Sequence, residues 1–172
     1  MRVLGENYRR DLGVRSYPLL VYALASLAAL VLQAYLPLVH GYTLFDLPLV
    51  VTIYFALVRR DPIQGTMMGA GMGIFEDALT NHAIGANGIA KTVAGFLAGS
   101  VGVRIDIDNF IIRMMLTFLL SLLSSFIYVI IYRVLLGIDQ EWRGLEELMK
   151  AVGTSVAAMV IFPLLDWTQI RD

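Results

Sequence analysis

The chain has 172 residues, of which 58% are hydrophobic and only 16% are charged, and it contains no cysteine. A soluble domain of this size is less apolar, so the composition is typical of an integral membrane protein that forms one compact bundle. A formal net charge of −1 argues against a broad nucleic-acid surface. The absence of cysteine excludes disulfides and thiolate metal sites.

Long apolar runs separated by short polar segments predict an all-α, polytopic bundle of six transmembrane helices. The predicted spans are Tyr17–Leu36, Leu44–Val58, Ile63–Leu79, Ile84–Val103, Phe110–Leu136 and Glu147–Leu165. Residues 17–167 are therefore expected to form a single transmembrane domain, with a short tail at residues 168–172. Residues 1–16 contain four arginines and predict an amphipathic arm on the cytoplasmic leaflet, although a frayed basic terminus fits them equally well.

Local signals place several of the predicted helix ends. Pro37 is expected to stop the first span, and Pro163, Asp166 and Trp167 are expected to close the sixth. The second span is short and carries Asp46 and Pro48 in its first turn, where a carboxylate and a residue without an N–H are both favourable. Asn109 is a candidate N-cap for the fifth span.

The basic residues predict the orientation. With six spans, nine of the thirteen lysines and arginines lie on the side of the two termini, Arg113 among them. Three lie on the opposite side, and Lys91 lies within the membrane. Because cytoplasmic segments carry the excess of Lys and Arg, both termini are expected in the cytoplasm.

Glycine is concentrated in the third and fourth spans, which hold nine of the fifteen glycines between residues 65 and 102. Steps of three and four residues place many of these glycines on one face of each helix. Glycine on such a face lets two helix backbones approach closely in a membrane. The glycines predicted to act in helix packing are Gly65, Gly69, Gly73, Gly85, Gly88, Gly95 and Gly99.

Three formal charges lie in the same hairpin. A charge at membrane depth costs roughly 2.5–3.5 kcal/mol on insertion scales, so it usually faces a partner or a cavity. We expect Lys91 to lie between Glu76 and Asp77, with Asp77 the closer partner because it continues the glycine stripe. Asn87 and Thr92 flank Lys91 and are predicted hydrogen-bond partners of this charge cluster. A structural clamp and a site for a partner or ligand are equally compatible with the pattern.

The chain contains no recognisable catalytic motif. It has no H-E-x-x-H, no G-x-S-x-G and no P-loop. Adjacent Glu76 and Asp77 differ by about 100° around a helix, so they do not form a two-carboxylate catalytic pair. The sequence therefore predicts no catalytic residue, no metal ligand and no cofactor.

The residues of this hairpin resemble the signature of a known family. They match the pattern of MreD, the bacterial rod shape-determining membrane proteins, and chain length and the glycine-rich third and fourth spans agree with it as well. The first, second and sixth spans match only as apolar segments. The matching runs are Gly73-x-x-Glu76-Asp77, Gly85-x-Asn87 and Ala90-Lys91-Thr92-x-x-Gly95-Phe96.

The resemblance implies a non-enzymatic scaffold subunit of the cell-elongation complex in the bacterial cytoplasmic membrane. It implies binding to the bitopic protein MreC and, through MreC, links to MreB, to RodA and to a penicillin-binding transpeptidase. It also implies an architecture similar to the membrane-embedded substrate-binding components of energy-coupling-factor transporters.

That likeness supplies the alternative, a small-molecule or lipid-binding subunit of a transporter. Such a subunit would need a cavity with convergent polar and aromatic groups. The nearly balanced charges of the hairpin favour internal pairing over a charged ligand.

Overall fold

The computed structural model describes residues 17–40, 44–81, 83–105, 109–135, 137 and 144–168, with residues 37–40 described by their backbone alone. Within these ranges the chain is all-α and forms six helices. The predicted arm at residues 1–16 and residues 169–172 of the tail lie outside the described residues. The helices are α1 (Leu19–His40), α2 (Leu47–Arg59), α3 (Pro62–Thr80), α4 (Ala86–Gly102), α5 (Phe110–Val134) and α6 (Gly144–Asp166).

Helix α2 is the centre of the bundle. Every residue from Leu47 to Val58 is buried, and α2 contacts each of the other five helices. A helix that is buried on all sides needs no polar face, which explains its almost continuous apolar sequence. Its 13 residues extend over only about 20 Å, less than the roughly 30 Å of a bilayer's hydrocarbon core.

Polar side chains cap the N-termini of three of the helices. The carboxylate of Asp46 accepts a hydrogen bond from the backbone N–H of Leu49 at the start of α2 (3.0 Å), and Asp61 caps α3 in the same manner. Asn109 accepts from the N–H of Ile111 (2.9 Å), so the predicted N-cap of α5 is confirmed. These side chains satisfy backbone donors that a helix leaves unpaired in its first turn.

One predicted helix end is wrong, and it lies at a proline. Helix α1 continues through Pro37 to His40, whereas α6 runs through Pro163 to Asp166, one residue beyond its predicted end at Leu165. A proline removes one backbone hydrogen bond from the turn before it. Because each of these prolines lies in its helix's last turn, the helix loses that bond near its end and continues for three more residues.

Helices α1, α5 and α6 are long and apolar enough to cross a membrane. Helix α2 is apolar but short, and the glycines and charges of α3 and α4 lower their hydropathy. The described part of the chain is thus an all-α bundle with three helices of membrane-spanning length and composition. The prediction that all six helices cross the membrane stays a prediction.

The helices alternate in direction, so the bundle has two ends. Gly65 packs against Gly95 and Gly73 against Asn87, which makes α3 and α4 antiparallel. Tyr17, just before α1, reaches Tyr54 near the end of α2. We call this end of the bundle the Tyr17 end. The opposite end, where α2, α4 and α6 begin, is called the Asp46 end.

Candidate functional site: two buried polar clusters

The glycine faces of α3 and α4 bring the two helix backbones into direct contact. A Cβ added to Gly65 would overlap the carbonyl oxygen of Gly95, and one added to Gly95 would overlap the carbonyl oxygen of Gly65. A Cβ on Gly69 would overlap the carbonyl oxygen of Lys91, and one on Gly73 would overlap that of Asn87. No side chain larger than hydrogen fits at these contacts without moving a helix, because each obstacle is backbone.

Three other predicted packing glycines behave differently from one another. A Cβ on Gly99 would lie 2.7 Å from the carbonyl oxygen of Asp61, so Gly99 packs against the start of α3. A Cβ on Gly88 would lie 3.0 Å from the flexible side chain of Ile74 and no closer than 3.7 Å to any backbone atom of the facing helix. The packing prediction is wrong for Gly85, which has open space around it and a φ of +102°. Gly85 precedes α4 in a left-handed conformation that favours glycine.

The close approach places Lys91 of α4 inside the bundle, where it is fully buried. Its Nζ donates a hydrogen bond to Oδ2 of Asp46 (2.7 Å) and lies 2.7 Å from Oε2 of Glu76. Both carboxylates are themselves buried. We call these three residues the Lys91 cluster. It joins α2, α3 and α4, and a buried charge of this kind needs such partners.

The predicted pairing of Lys91 with Asp77 is wrong. The carboxylate of Asp77 instead accepts hydrogen bonds from the backbone N–H of Gly85 (2.8 Å) and of Asn87 (3.1 Å). It also accepts from the side-chain amide of Asn87 (2.8 Å). These three N–H donors satisfy the Asp77 carboxylate, which thereby fixes the turn between α3 and α4. The residue of α3 that pairs with Lys91 is the adjacent Glu76.

The two predicted hydrogen-bond partners of Lys91, Asn87 and Thr92, form their hydrogen bonds with other groups. Asn87 binds Asp77 as described, and the hydroxyl of Thr92 donates to the carbonyl of Gly88 one turn earlier (2.6 Å). In that arrangement the Thr92 hydroxyl forms a hydrogen bond with a backbone carbonyl of its own helix. The motif residues that the sequence singled out thus separate into the Lys91–Glu76 pair and the Asp77–Asn87 turn.

Asp46 is the member of the cluster that the sequence does not predict. Its place in the first turn of the second span indicates only a favourable helix start, and it lies 45 residues before Lys91 along the chain. The available signal is a carboxylate at the start of an apolar run, two residues before Pro48, with no lysine or arginine nearby in sequence. Such a carboxylate can both cap a helix and pair with a lysine, since it has two oxygens.

Polar groups from α1 and α6 complete the surroundings of Asp46. The backbone N–H of Asp46 donates to the hydroxyl of Thr154 in α6 (3.1 Å). Gln33 of α1 accepts from the N–H of Leu47 (3.1 Å) and donates to the carbonyl of Phe45 (3.2 Å). The start of α2 is therefore held by hydrogen bonds or ion pairs to α1, α4 and α6, and through Lys91 to α3.

A second polar cluster lies at the Tyr17 end. The guanidinium of Arg113 pairs with both carboxylate oxygens of Asp166 (2.8 and 3.4 Å). The hydroxyl of Tyr54 donates to the same carboxylate (2.8 Å), and the hydroxyls of Tyr17 and Tyr54 lie 2.6 Å apart. The one hydroxyl hydrogen of Tyr54 is used in its hydrogen bond to Asp166, so the Tyr17 hydroxyl is the donor in the hydrogen bond between the two tyrosines. We call these four residues the Arg113 network.

No pattern in the sequence predicts the Arg113 network. By sequence, Arg113 is one of the basic residues expected on the cytoplasmic side, and Asp166 is one of the residues expected to close the sixth span. Arg113 is buried, and its guanidinium lies 5.7 Å from the ring centroid of Tyr54 and 5.4 Å from that of Phe162. Aromatic faces at such distances attract a cation, so the network joins α2, α5 and α6.

An apolar groove of about 350 Å³ runs along the surface between α5 and α6. Its lining provides almost no polar group, so it could accept an acyl chain or an apolar side chain but not a charged ligand. Within the described residues, no group of three or more His, Cys, Asp or Glu side chains is placed to hold a metal ion. The groove is lined by Met114, Met115, Phe118, Val152, Ser155, Val156 and Met159.

The two polar clusters, taken together, offer ion pairing and hydrogen bonding within the bundle. Neither contains a serine or threonine nucleophile with an adjacent base, the arrangement that covalent catalysis requires. Comparison with known proteins adds no relative to this picture: no family model, no curated protein and no solved structure matches the chain.

Proposed function

We propose that the chain is a non-enzymatic membrane scaffold subunit of a bacterial cell-elongation complex, which supports peptidoglycan synthesis by binding an MreC-like bitopic protein. The observation that carries this proposal is the use of the MreD-like motif residues. Glu76 and Lys91 pair with each other, and Asp77 and Asn87 hold the turn between α3 and α4. Residues used in this way build a rigid helix pair, which suits a protein that positions another protein.

The membrane setting belongs to the same proposal. Six helices cross the cytoplasmic membrane with both termini in the cytoplasm, so that the Tyr17 end faces the cytoplasm and the Asp46 end faces outward. The lengths and apolar composition of α1, α5 and α6 support this setting. The short α2 and the hairpin's charged side chains Glu76, Asp77 and Lys91 are buried in the bundle and so are shielded from lipid, because a charge at membrane depth needs protein partners around it.

Site-directed labelling tests the topology, and the natural absence of cysteine makes single-cysteine variants straightforward. Cysteines introduced at Tyr42, Asn81 and Gln140 should react with a membrane-impermeant maleimide added to intact cells. Cysteines at Arg60 and Asp106 should react only after the membrane is opened. External labelling at Arg60 would reverse the proposed orientation.

Co-purification tests the partnership. After mild solubilisation, the chain should purify in a stable complex with the MreC-like protein of the same bacterium, through that protein's transmembrane helix and adjoining extracytoplasmic segment. A matched control is an MreC-like protein whose transmembrane helix is replaced by polyleucine, which should bind much less. An unchanged yield with the control would show that the helix does not contribute.

The alternative function is a lipid-binding or small-molecule-binding subunit. One observation favours the lipid form of it, namely the groove of about 350 Å³ between α5 and α6. Mass spectrometry of lipids in the same purified sample separates the two functions. Stoichiometric retention of one lipid or one vitamin-sized ligand, in a chain that ignores the MreC-like protein, would favour the alternative.

A further inference from the structure

The Lys91 cluster contains one ammonium group and two carboxylates. The side chains of Lys91, Asp46 and Glu76 expose 0%, 6% and 8% of their surface, respectively. If every group were ionised, the cluster would hold one uncompensated negative charge away from water. A buried charge without a partner is costly, and proteins commonly neutralise such a group instead.

The other charged or titratable groups that face the cluster do not remove this excess by direct contact. Asp77, also on α3, adds a third carboxylate, and its own charge is satisfied by the three N–H donors of the turn. Lys150 of α6 interacts electrostatically with Asp46 and Glu76. Tyr128 of α5 is neutral in its ordinary form and interacts with Glu76 and Asp77.

The two carboxylates differ in how they are held. Asp46 receives directed hydrogen bonds from Lys91 and from the backbone N–H of Leu49, and both donors stabilise its ionised form. Oε2 of Glu76 lies 2.7 Å from the Lys91 ammonium, and within the described residues no second donor adds a hydrogen bond to this buried atom. Glu76 is therefore the carboxylate whose charge is less well supported.

We propose that Glu76 is a proton-binding site. It takes a proton from solvent to become a neutral carboxylic acid in the folded protein, and this leaves Lys91 and Asp46 as a balanced ion pair. Releasing the proton restores a second carboxylate beside Lys91. Proton occupancy at Glu76 then determines whether Lys91 is shared between α2 and α3 or belongs to α2 alone. This proposal concerns the isolated chain and does not depend on any partner.

Infrared spectroscopy of the purified wild-type chain tests the proposal directly. The side-chain carboxyl groups of glutamate are labelled with ¹³C, and spectra are recorded at about pH 6, where exposed glutamates are ionised. We expect a carboxylic-acid C=O band that shifts with the glutamate label and disappears in Glu76→Gln. Absence of a label-shifted band in the wild type would overturn the proposal, as would its persistence in Glu76→Gln.

The pH dependence of unfolding supplies a second measurement. A group that binds a proton more readily in the folded state stabilises the fold at low pH and loses that contribution as pH rises. The melting temperature of the wild type should therefore fall relative to that of Glu76→Gln between about pH 5 and 8. Parallel curves, or a wild type that gains relative stability with rising pH, would show that Glu76 is not the proton-binding group. If Glu76→Gln does not fold, absence of the infrared band in the wild type still overturns the proposal. The band should persist in Glu147→Gln, which removes a second glutamate whose buried oxygen lacks a hydrogen-bond partner within the described residues, and its loss there would assign it to Glu147 and overturn the proposal.

Discussion

Each of the two polar clusters holds one cationic side chain inside an apolar bundle, and they differ in the number and the exposure of the carboxylates that pair with it. The Arg113 network pairs one guanidinium with one carboxylate, and the carboxylate side chain of Asp166 remains 26% exposed. The Lys91 cluster places one ammonium between two carboxylates, and none of the three side chains exceeds 8% exposure. A partly exposed pair can be hydrated when one member is removed, whereas a deeply buried cluster has no such relief. We therefore expect the Lys91 cluster to be the more sensitive of the two.

Removing Lys91 should have the largest effect. Lys91→Met strands the buried carboxylate of Asp46 and removes the cation beside Glu76, and breaking a buried ion pair in this way costs roughly 3–5 kcal/mol. We expect loss of folded protein, or a much lower melting temperature, measured by fluorescence-detected size exclusion and thermal unfolding in detergent. Normal folding of Lys91→Met would remove the basis for treating the cluster as the critical one.

A pair of double variants identifies the partners of Lys91. Lys91→Met combined with Asp46→Asn should recover part of the lost stability, because Asp46 is the ionised partner that the lysine leaves stranded. Lys91→Met combined with Asp77→Asn should recover none, because Asp77 holds the turn and does not pair with the lysine. Equal recovery in the two double variants would contradict the distinction between Asp46 and Asp77.

Disrupting the glycine contact beside Lys91 should cause the second-largest loss of stability. Gly69→Ala drives a methyl group into the Lys91 backbone, and overpacking of this kind typically costs about 1–3 kcal/mol. Gly71 is a matched control in the same helix, because a Cβ there meets nothing within 4 Å. Gly71→Ala should be neutral or stabilising by up to about 1 kcal/mol, as alanine is the better helix former. Equal melting temperatures for the two variants would contradict the close-packing argument.

Removing Arg113 should cost less than removing Lys91. Arg113→Met leaves Asp166 partly exposed and still hydrogen-bonded to Tyr54, so roughly 1–3 kcal/mol is expected. Thermal unfolding of Arg113→Met and Lys91→Met under one condition measures the difference. A greater loss of stability in Arg113→Met than in Lys91→Met would show that the Arg113 network, not the Lys91 cluster, is the more sensitive of the two.

The smallest expected effect is at the edge of the Arg113 network. Tyr17→Phe deletes the hydroxyl that donates to Tyr54 and leaves its ring contacts in place. The loss should be about 0.5–1.5 kcal/mol, the usual net contribution of one hydrogen bond. Urea or thermal unfolding that shows no change would indicate that the network ends at Tyr54.

The sequence predicted local features well where the cause was local. The six helices follow from apolar run length, the N-cap at Asn109 follows from its side-chain chemistry, and the packing contacts of Gly69 and Gly73 follow from helical spacing. The error at Pro37 arose because proline was assumed to end the helix at that point. A proline near the end of a helix removes only one backbone hydrogen bond, which the remaining turn tolerates.

What the sequence determined by itself is an all-α, strongly apolar chain with one charged, glycine-rich hairpin, because composition and periodicity reflect single helices. Only the tertiary structure decided which charges pair. Asp46 reaches Lys91 across 45 residues, and Arg113 reaches Asp166 across 53, and no spacing rule within one helix connects such distant positions. Asp77 and Glu76 are neighbours in sequence, yet their directions around α3 send one to the turn and the other to Lys91. Partner choice among buried charges depends on how helices pack, and that is a property of the whole bundle.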